Sequence, residues 1–82
     1  MEDKVTIEYC APCRFEKQAN QLADEIKVQF NGKISQVELI PTQVIGSFEI
    51  LLGKNLVFSK KKTGRLPHPG EVEQLIMMRI FN

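Results

Sequence analysis

The stretch IEYCAPCRFEK, residues 7–17, contains the end of an alternating apolar pattern, two cysteines separated by Ala-Pro, and the start of a helical pattern. On its N-terminal side, Val5, Ile7 and Tyr9 alternate with polar residues. This period of two predicts a half-buried strand over residues 4–9. The strand is therefore expected to end at the cysteine pair.

The residues after the cysteine pair follow a different period. Apolar side chains recur at helical spacing from Phe15 to Phe30, and charged or polar residues occupy the rest of the helical wheel. Asn31-Gly32 then supplies a stop, because glycine is suited to a left-handed helix cap. The two cysteines are thus expected at the junction between a strand and a helix.

The remainder of the chain predicts three more strands and one more helix. The strands are expected over about residues 34–40 (ended by Pro41-Thr42), 47–52 and 56–59, and the last two should form an antiparallel hairpin around a tight turn at 53–55. The basic, Pro- and Gly-rich segment KKKTGRLPHPG is expected to be a loop before the final helix.

These elements predict the order β-α-β-β-β-α in a single domain that covers residues 1–82. The first β-α-β unit should be a right-handed crossover between parallel strands, so the four-stranded sheet is mixed. The outward positions of the strands are largely polar, which leaves one face of the sheet to solvent. Both helices should therefore pack on the other face, giving a two-layer α/β sandwich.

Composition narrows the class of protein. The chain of 82 residues is 43% hydrophobic and 26% charged, as expected of a small globular domain, and its net charge of +1 favours neither nucleic acid nor an anionic membrane as a partner. No apolar run approaches the roughly 18 residues of a membrane span. The acidic N-terminus MEDKVTIEY does not resemble a signal peptide, so a cytoplasmic location is expected.

The cysteine pair has the spacing and position of a redox site. At the start of a helix, free amide groups and the helix dipole favour negative charge, which would lower the pKa of a nearby thiol. The spacing of Cys10 and Cys13 lets one sulfur reach the other, and Pro12 needs no N–H donor there. Arg14 would add positive potential. A thiolate at this position would attack a substrate disulfide, and the second cysteine would resolve the mixed disulfide.

Three other uses of the pair remain as alternatives. A structural disulfide would close too short a loop to constrain much of the chain. A zinc site needs four ligands, and the chain offers only the two cysteines and His68. The third alternative is metal binding shared between subunits, including a bridging iron–sulfur cluster. We expect no metal, and we expect His68 and the run Lys60-Lys61-Lys62 to be solvated loop residues.

Taken with the cysteine pair, the sequence resembles the selenoprotein W-like (Rdx) family. The resemblance rests on VTIEYCAPCRFEKQANQL at residues 5–22, on Gly46-Ser47-Phe48-Glu49-Ile50, and on LVFSKK at residues 56–61. It covers nearly the whole chain. These three segments together are far more specific than the cysteine spacing alone.

The resemblance implies a thioredoxin-like fold and a thiol–disulfide or peroxide-linked redox role, with glutathione or thioredoxin as reductant. The expected partner is a disulfide-containing protein or glutathione, with no cofactor beyond glutathione as a co-substrate. In selenium-containing relatives, selenocysteine occupies the position that matches Cys13, whereas thioredoxins attack with the first cysteine, here Cys10. Both residues are therefore assigned to the catalytic site, with a preference for Cys13 as the attacking residue.

The substrate-binding surface is predicted from topology, since the third strand should lie beside the first. The residues expected to border the cysteines and contact substrate are Ala11, Pro12, Gly46, Ser47 and Phe48. Two features depart from thioredoxins. The chain has Val44-Ile45-Gly46-Ser47 where thioredoxins have a cis-proline, and Glu8 and Glu49 are expected to point outward, so neither supplies the buried acid of thioredoxins.

A hypothesis from a different functional class is an adaptor that binds a partner protein through its surface. In that case the cysteines would act as a redox switch or have no role. Replacing both cysteines would abolish a redox activity but leave the adaptor with its partner.

Overall fold

A computed structural model describes residues 4–81 of the chain. Its elements, in chain order, are β1 (Lys4–Cys10), α1 (Glu16–Gln29), β2 (Gln36–Thr42), β3 (Phe48–Leu52), β4 (Asn55–Ser59), α2 (Lys60–Thr63) and α3 (Glu71–Ile80). Each helix in this part of the chain is too short or too polar to cross a membrane.

The four strands form one mixed sheet in the order β2-β1-β3-β4. β1 runs parallel to β2 and antiparallel to β3, and β3 and β4 form an antiparallel hairpin. This arrangement confirms the predicted sheet. It also puts β1 in the middle, so the C-terminal end of β1 has a neighbouring strand on each side.

The hydrophobic core lies on one face of the sheet. Alternate residues of β1 and β3 point to this face, as their period of two predicts. They pack with α1 and α3 in a single cluster, which contains Val5, Ile7, Tyr9, Ala19, Leu22, Ala23, Ile26, Phe30, Phe48, Ile50, Leu52, Phe58, Val72 and Ile76. Both long helices therefore lie on the same face, and the two-layer prediction is confirmed.

The end of β2 differs from the prediction. The strand includes Pro41 and Thr42, which were expected to terminate it. Tyr9 pairs with Pro41, and Cys10 pairs with Thr42. Proline is tolerated here because β2 is an edge strand, on which one side of the backbone needs no partner strand. The extension brings Thr42 beside the first cysteine.

The basic segment after β4 also differs, because it forms the single-turn helix α2 instead of a loop. The side chain of Ser59 accepts a hydrogen bond from the Lys62 N–H (3.4 Å) at one end. Gly64 ends the helix in the left-handed conformation, with φ of 78°. A serine cap and a glycine stop are ordinary helix signals, but a single turn is too short to show a helical period in the sequence.

An ion pair holds the segment between α2 and α3. Arg65 donates two hydrogen bonds to the Glu71 carboxylate, at 2.8 and 2.9 Å, and the backbone N–H of His68 donates a third at 2.9 Å. These contacts, led by the Arg65 hydrogen bonds, lower the pKa of Glu71 to about 2. Glu71 is therefore ionised near neutral pH and fully engaged by its own neighbours.

Candidate redox site

Cys10 and Cys13 are joined by a disulfide at the C-terminal end of β1. Their Cα atoms are 5.3 Å apart, and Ala11 and Pro12 form the turn between them. The two sulfurs have different surroundings. Cys10 is 0% exposed, as the last residue of a central strand, whereas Cys13 is partly exposed. A molecule in solution can therefore reach the pair only from the Cys13 side.

The pair precedes the helix and does not form its start, which corrects the sequence prediction. α1 begins at Glu16, and Phe15 is its N-cap residue. Arg14 adopts the left-handed conformation with φ of 63°, and its N–H donates to the Ala11 carbonyl at 3.1 Å. This turn interrupts the helical path between Cys13 and Phe15. Since the dipole effect is confined to the first helical turn, the helix is not the main influence on the sulfurs.

Two backbone amides outside the helix contact the sulfurs instead. The N–H of Cys13 donates to Cys10 Sγ, and the N–H of Gly46 donates to Cys13 Sγ, both at 3.2 Å. Hydrogen bonds to a sulfur favour its anionic form once the disulfide is reduced. Gly46 has φ of 82°, a left-handed conformation that glycine adopts without steric cost. The geometry thus provides the thiolate of Cys13 with one specific donor.

This contact can be tested with two matched glycine variants. Gly46 and Gly32 both have left-handed φ angles, and at neither would an added Cβ meet any atom within 4 Å. We expect Gly46→Ala and Gly32→Ala each to lower the free energy of unfolding by about 1 kcal/mol. Only Gly46→Ala should slow alkylation of reduced Cys13 by iodoacetamide at neutral pH, because it displaces the N–H donor. Equal alkylation rates in the two variants would show that the Gly46 contact has no chemical effect.

The ends of β2 and β3 hold the cysteine turn from both sides. The N–H of Cys10 donates to the Ser47 carbonyl at 2.8 Å, and the N–H of Ala11 donates to the Thr42 carbonyl at 3.0 Å. The hydroxyls of Thr42 and Ser47 lie 2.8 Å apart, and the Thr42 hydroxyl also donates to the Tyr9 carbonyl at 3.3 Å. Thr42 was not among the predicted site residues. Its pairing with Cys10 depends on the strand register and left no local signal.

The predicted substrate-binding residues occupy different environments. Gly46 and Ser47 contact the cysteine turn through their backbones, as described above. Ala11 is half-buried and Pro12 is exposed on the turn itself. Phe48 is only 1% exposed, and its ring packs edge-on against Phe15 with centroids 6.0 Å apart. The structure therefore places Phe48 in the core, where it supports the site from beneath.

A groove of about 380 Å³ adjoins the loop that contacts Cys13. Its lining residues come from that loop, from the outer face of the sheet and from α2, and are Glu8, Thr42, Val44, Ile45, Gly46, Ser47, Glu49, Lys60, Lys61 and Gly64. Val44 and Ile45 are exposed apolar residues. Glu8 and Glu49 pair across β1 and β3 on the outer face, where they were predicted to point.

Among residues 4–81, no three His, Cys, Asp or Glu side chains are grouped so that they could hold a metal ion. At the C-terminal end of β1, the described residues bring together one disulfide and two amide donors to its sulfurs. A groove adjoins the loop that contacts Cys13. This arrangement is suited to thiol–disulfide chemistry.

Comparisons with solved structures agree with the fold. A selenoprotein W-related protein from Vibrio cholerae superposes with a TM-score of 0.88 at 26% identity, covering 94% of this chain and 95% of that one. A protein from Bordetella parapertussis superposes with a TM-score of 0.87 at 22% identity, covering 93% and 95%. The chain therefore has the thioredoxin-like fold of selenoprotein W-related proteins.

Sequence comparison gives relatives of greater length. Migration and invasion enhancer 1 from Bos taurus is 36% identical over 73 residues, which is 89% of this chain and 61% of that protein. The Mus musculus protein of the same name is 35% identical over 72 residues, 88% and 60% of the two lengths. The chain thus spans about three-fifths of these relatives. The model of the Rdx family matches residues 4–78, and the chain belongs to the Rdx family.

Proposed function

We propose that the protein is a thiol–disulfide oxidoreductase in which Cys10 and Cys13 alternate between dithiol and disulfide. The observation that carries this proposal is the Cys10–Cys13 disulfide, with Cys13 partly exposed and its Sγ 3.2 Å from the Gly46 amide. A disulfide that served only the fold would gain nothing from a partly exposed cysteine held by a loop that lines a groove. Membership of the Rdx family supports the same chemistry.

In the proposed reaction Cys13 attacks and Cys10 resolves. The Cys13 thiolate attacks one sulfur of a substrate disulfide, forming a mixed disulfide and releasing the first substrate thiolate. The Cys10 thiolate then attacks Cys13 Sγ, forming the intramolecular disulfide and releasing the second substrate thiolate. Two electrons pass to the substrate in all. The burial of Cys10 favours this order, because a bulky substrate sulfur cannot reach it first.

We further propose glutathione as the reductant that restores the dithiol. Glutathione carries two carboxylates and one ammonium group, and the groove next to the Cys13 loop is lined by Lys60 and Lys61 together with Glu8 and Glu49. Two glutathione molecules would supply the two electrons and leave as glutathione disulfide. Thioredoxin would be the alternative donor. A cytoplasmic location, where reduced glutathione is abundant, fits this assignment and is part of the proposal.

A redox equilibrium with glutathione tests the proposed function. The protein is incubated at a series of ratios of reduced to oxidised glutathione, its free thiols are alkylated, and the products are separated by mass. We expect a single two-electron transition from disulfide to doubly alkylated protein. If both cysteines are alkylated at every ratio, the pair does not cycle and the proposal is wrong.

The adaptor hypothesis is kept as a second candidate because Val44 and Ile45 expose apolar side chains beside the disulfide. Exposed apolar residues next to a groove are typical of protein-binding surfaces. Under this hypothesis, the double variant Val44→Ser, Ile45→Ser would lose a binding partner that the double variant Cys10→Ala, Cys13→Ala retains. Under the redox hypothesis, the cysteine variant would lose all activity.

A further inference from the structure

A second groove lies on the helical side of the molecule. It has a volume of about 180 Å³ and is formed by α1, the segment before α3 and the first turn of α3. Its lining residues are Gln18, Gln21, Leu22, Glu25, Phe48, Leu66, Pro67, His68, Pro69, Gly70 and Glu73. Neither cysteine is among them, nor is any residue of the loop that contacts Cys13. The groove is therefore separate from the proposed redox site.

Glu73 is the unusual residue of this groove. It is 6% exposed, and its Oε1 atom has no hydrogen-bond partner in the described part of the chain. Buried carboxylates are normally paired, because an unpaired one loses its hydration without compensation. Arg65, in the segment before α3, does not donate to this atom, because its guanidinium is hydrogen-bonded to Glu71. An acceptor atom in the wall of the groove thus lacks a donor.

A second carboxyl group in the same groove also favours the binding of a cation. Glu25 lines the same groove from α1. Burial of the carboxyl is the main cause that raises the pKa of Glu73; a backbone hydrogen bond opposes this shift, and a hydrogen bond to the Glu25 carboxyl and the charge of that group add to it. His68, the only other titratable group lining the groove, lies in the segment before α3, and the lining contains no lysine or arginine. The lining of the groove therefore offers two carboxyl groups to a cation and supplies no lysine or arginine of its own.

We propose that this groove binds a guanidinium group carried on an aliphatic stem, such as an arginine side chain or a small alkylguanidine. A guanidinium presents several N–H donors in a plane and can engage carboxylates from two helices at once. It is also more weakly hydrated than an ammonium, which suits a groove walled by Leu22, Leu66 and Pro67. The aliphatic stem would pack on those apolar side chains.

The test is an NMR titration of the full chain with n-butylguanidinium. We expect saturable shifts of the Glu25 and Glu73 amides and an affinity that falls about tenfold or more in Glu73→Gln, because a charge-assisted hydrogen bond is lost. Asp24→Asn is the control for the loss of one acidic charge, since Asp24 is an exposed acid on α1, next to Glu25, that does not line the groove. Equal affinity in Glu73→Gln and wild type would overturn the proposal.

Two further ligands test which cationic group binds and whether it belongs to a protein or to a small molecule. n-Butylammonium should bind more weakly than n-butylguanidinium; equal binding would overturn the assignment of a guanidinium. A capped Gly-Arg-Gly peptide separates the two sources of the group. Binding of the peptide with the same dependence on Glu73 supports a protein arginine, and binding of n-butylguanidinium alone supports a small molecule. Because Glu73 and the cysteines do not share a site, failure here would leave the redox proposal intact.

Discussion

In the Cys13→Ala variant, the first step of thiol–disulfide exchange is expected to be about a hundredfold slower, whereas Cys10→Ala should still carry out this first step and form a mixed disulfide. With Cys10 replaced, the partly exposed Cys13 keeps its Gly46 donor and can form a mixed disulfide. With Cys13 replaced, the remaining sulfur is 0% exposed. Its reaction then requires local opening of β1 from its neighbours. If this local opening costs a free energy of about 2.7 kcal/mol, the reaction of Cys10 is slowed about a hundredfold.

The measurement is incubation of each reduced variant with glutathione disulfide, followed by mass spectrometry. Cys10→Ala should gain one glutathionyl group rapidly and keep it, because no resolving thiol remains. Cys13→Ala should react about a hundredfold more slowly. Alanine is the appropriate substitute, since serine would leave a hydroxyl in the core at position 10. Faster modification of Cys13→Ala than of Cys10→Ala would reverse the proposed roles.

The largest effect on stability is expected from Phe48→Ala. Phe48 begins β3, is 1% exposed, and packs in the core against the ring of Phe15. Replacing a buried phenylalanine by alanine removes its transfer free energy and leaves a cavity, at a cost of about 3–5 kcal/mol. For a domain of this size, that is a large part of the total free energy of unfolding. Urea denaturation followed by circular dichroism measures the difference.

Phe81→Ala is the matched control for this substitution. Phe81 is 62% exposed and contacts the chain through the ammonium of Lys33, which lies 4.9 Å from the ring centroid. Loss of an exposed cation–π contact costs about 1 kcal/mol or less. Similar losses of stability in the two variants would mean that Phe48 does not occupy the core. A preserved Cys10–Cys13 disulfide in Phe48→Ala would separate the stability effect from the chemistry.

Much of the fold could be predicted from periodicity. The alternation of Val5, Ile7 and Tyr9 predicts β1, and the helical spacing after Phe15 predicts α1, because both patterns continue long enough to be distinguished. The polar outward positions of the strands then predict that both helices share one face. Short or mixed signals were less informative. α2 was missed because a single turn is too brief to show a period, and β2 was ended early at Pro41.

The helical start at the cysteines was misplaced for a local reason. Arg14 takes a left-handed conformation that non-glycine residues adopt rarely, so its residue type gave no warning. The helix consequently begins at Glu16. The amides that contact the sulfurs come instead from Cys13 itself and from Gly46, a residue distant in the sequence, and the lowered thiol pKa stays a prediction.

The order of elements and the nearness of the two cysteines were determined by the sequence itself, since hydrophobic period and a short turn act over a few residues. The tertiary structure decided which groups meet across long stretches of chain. The contact of Gly46 with Cys13 requires that β1 pair with both neighbours in one register, and the burial of Glu73 requires that α3 pack beside α1. Such contacts follow from the packing of the whole core, which no local pattern encodes.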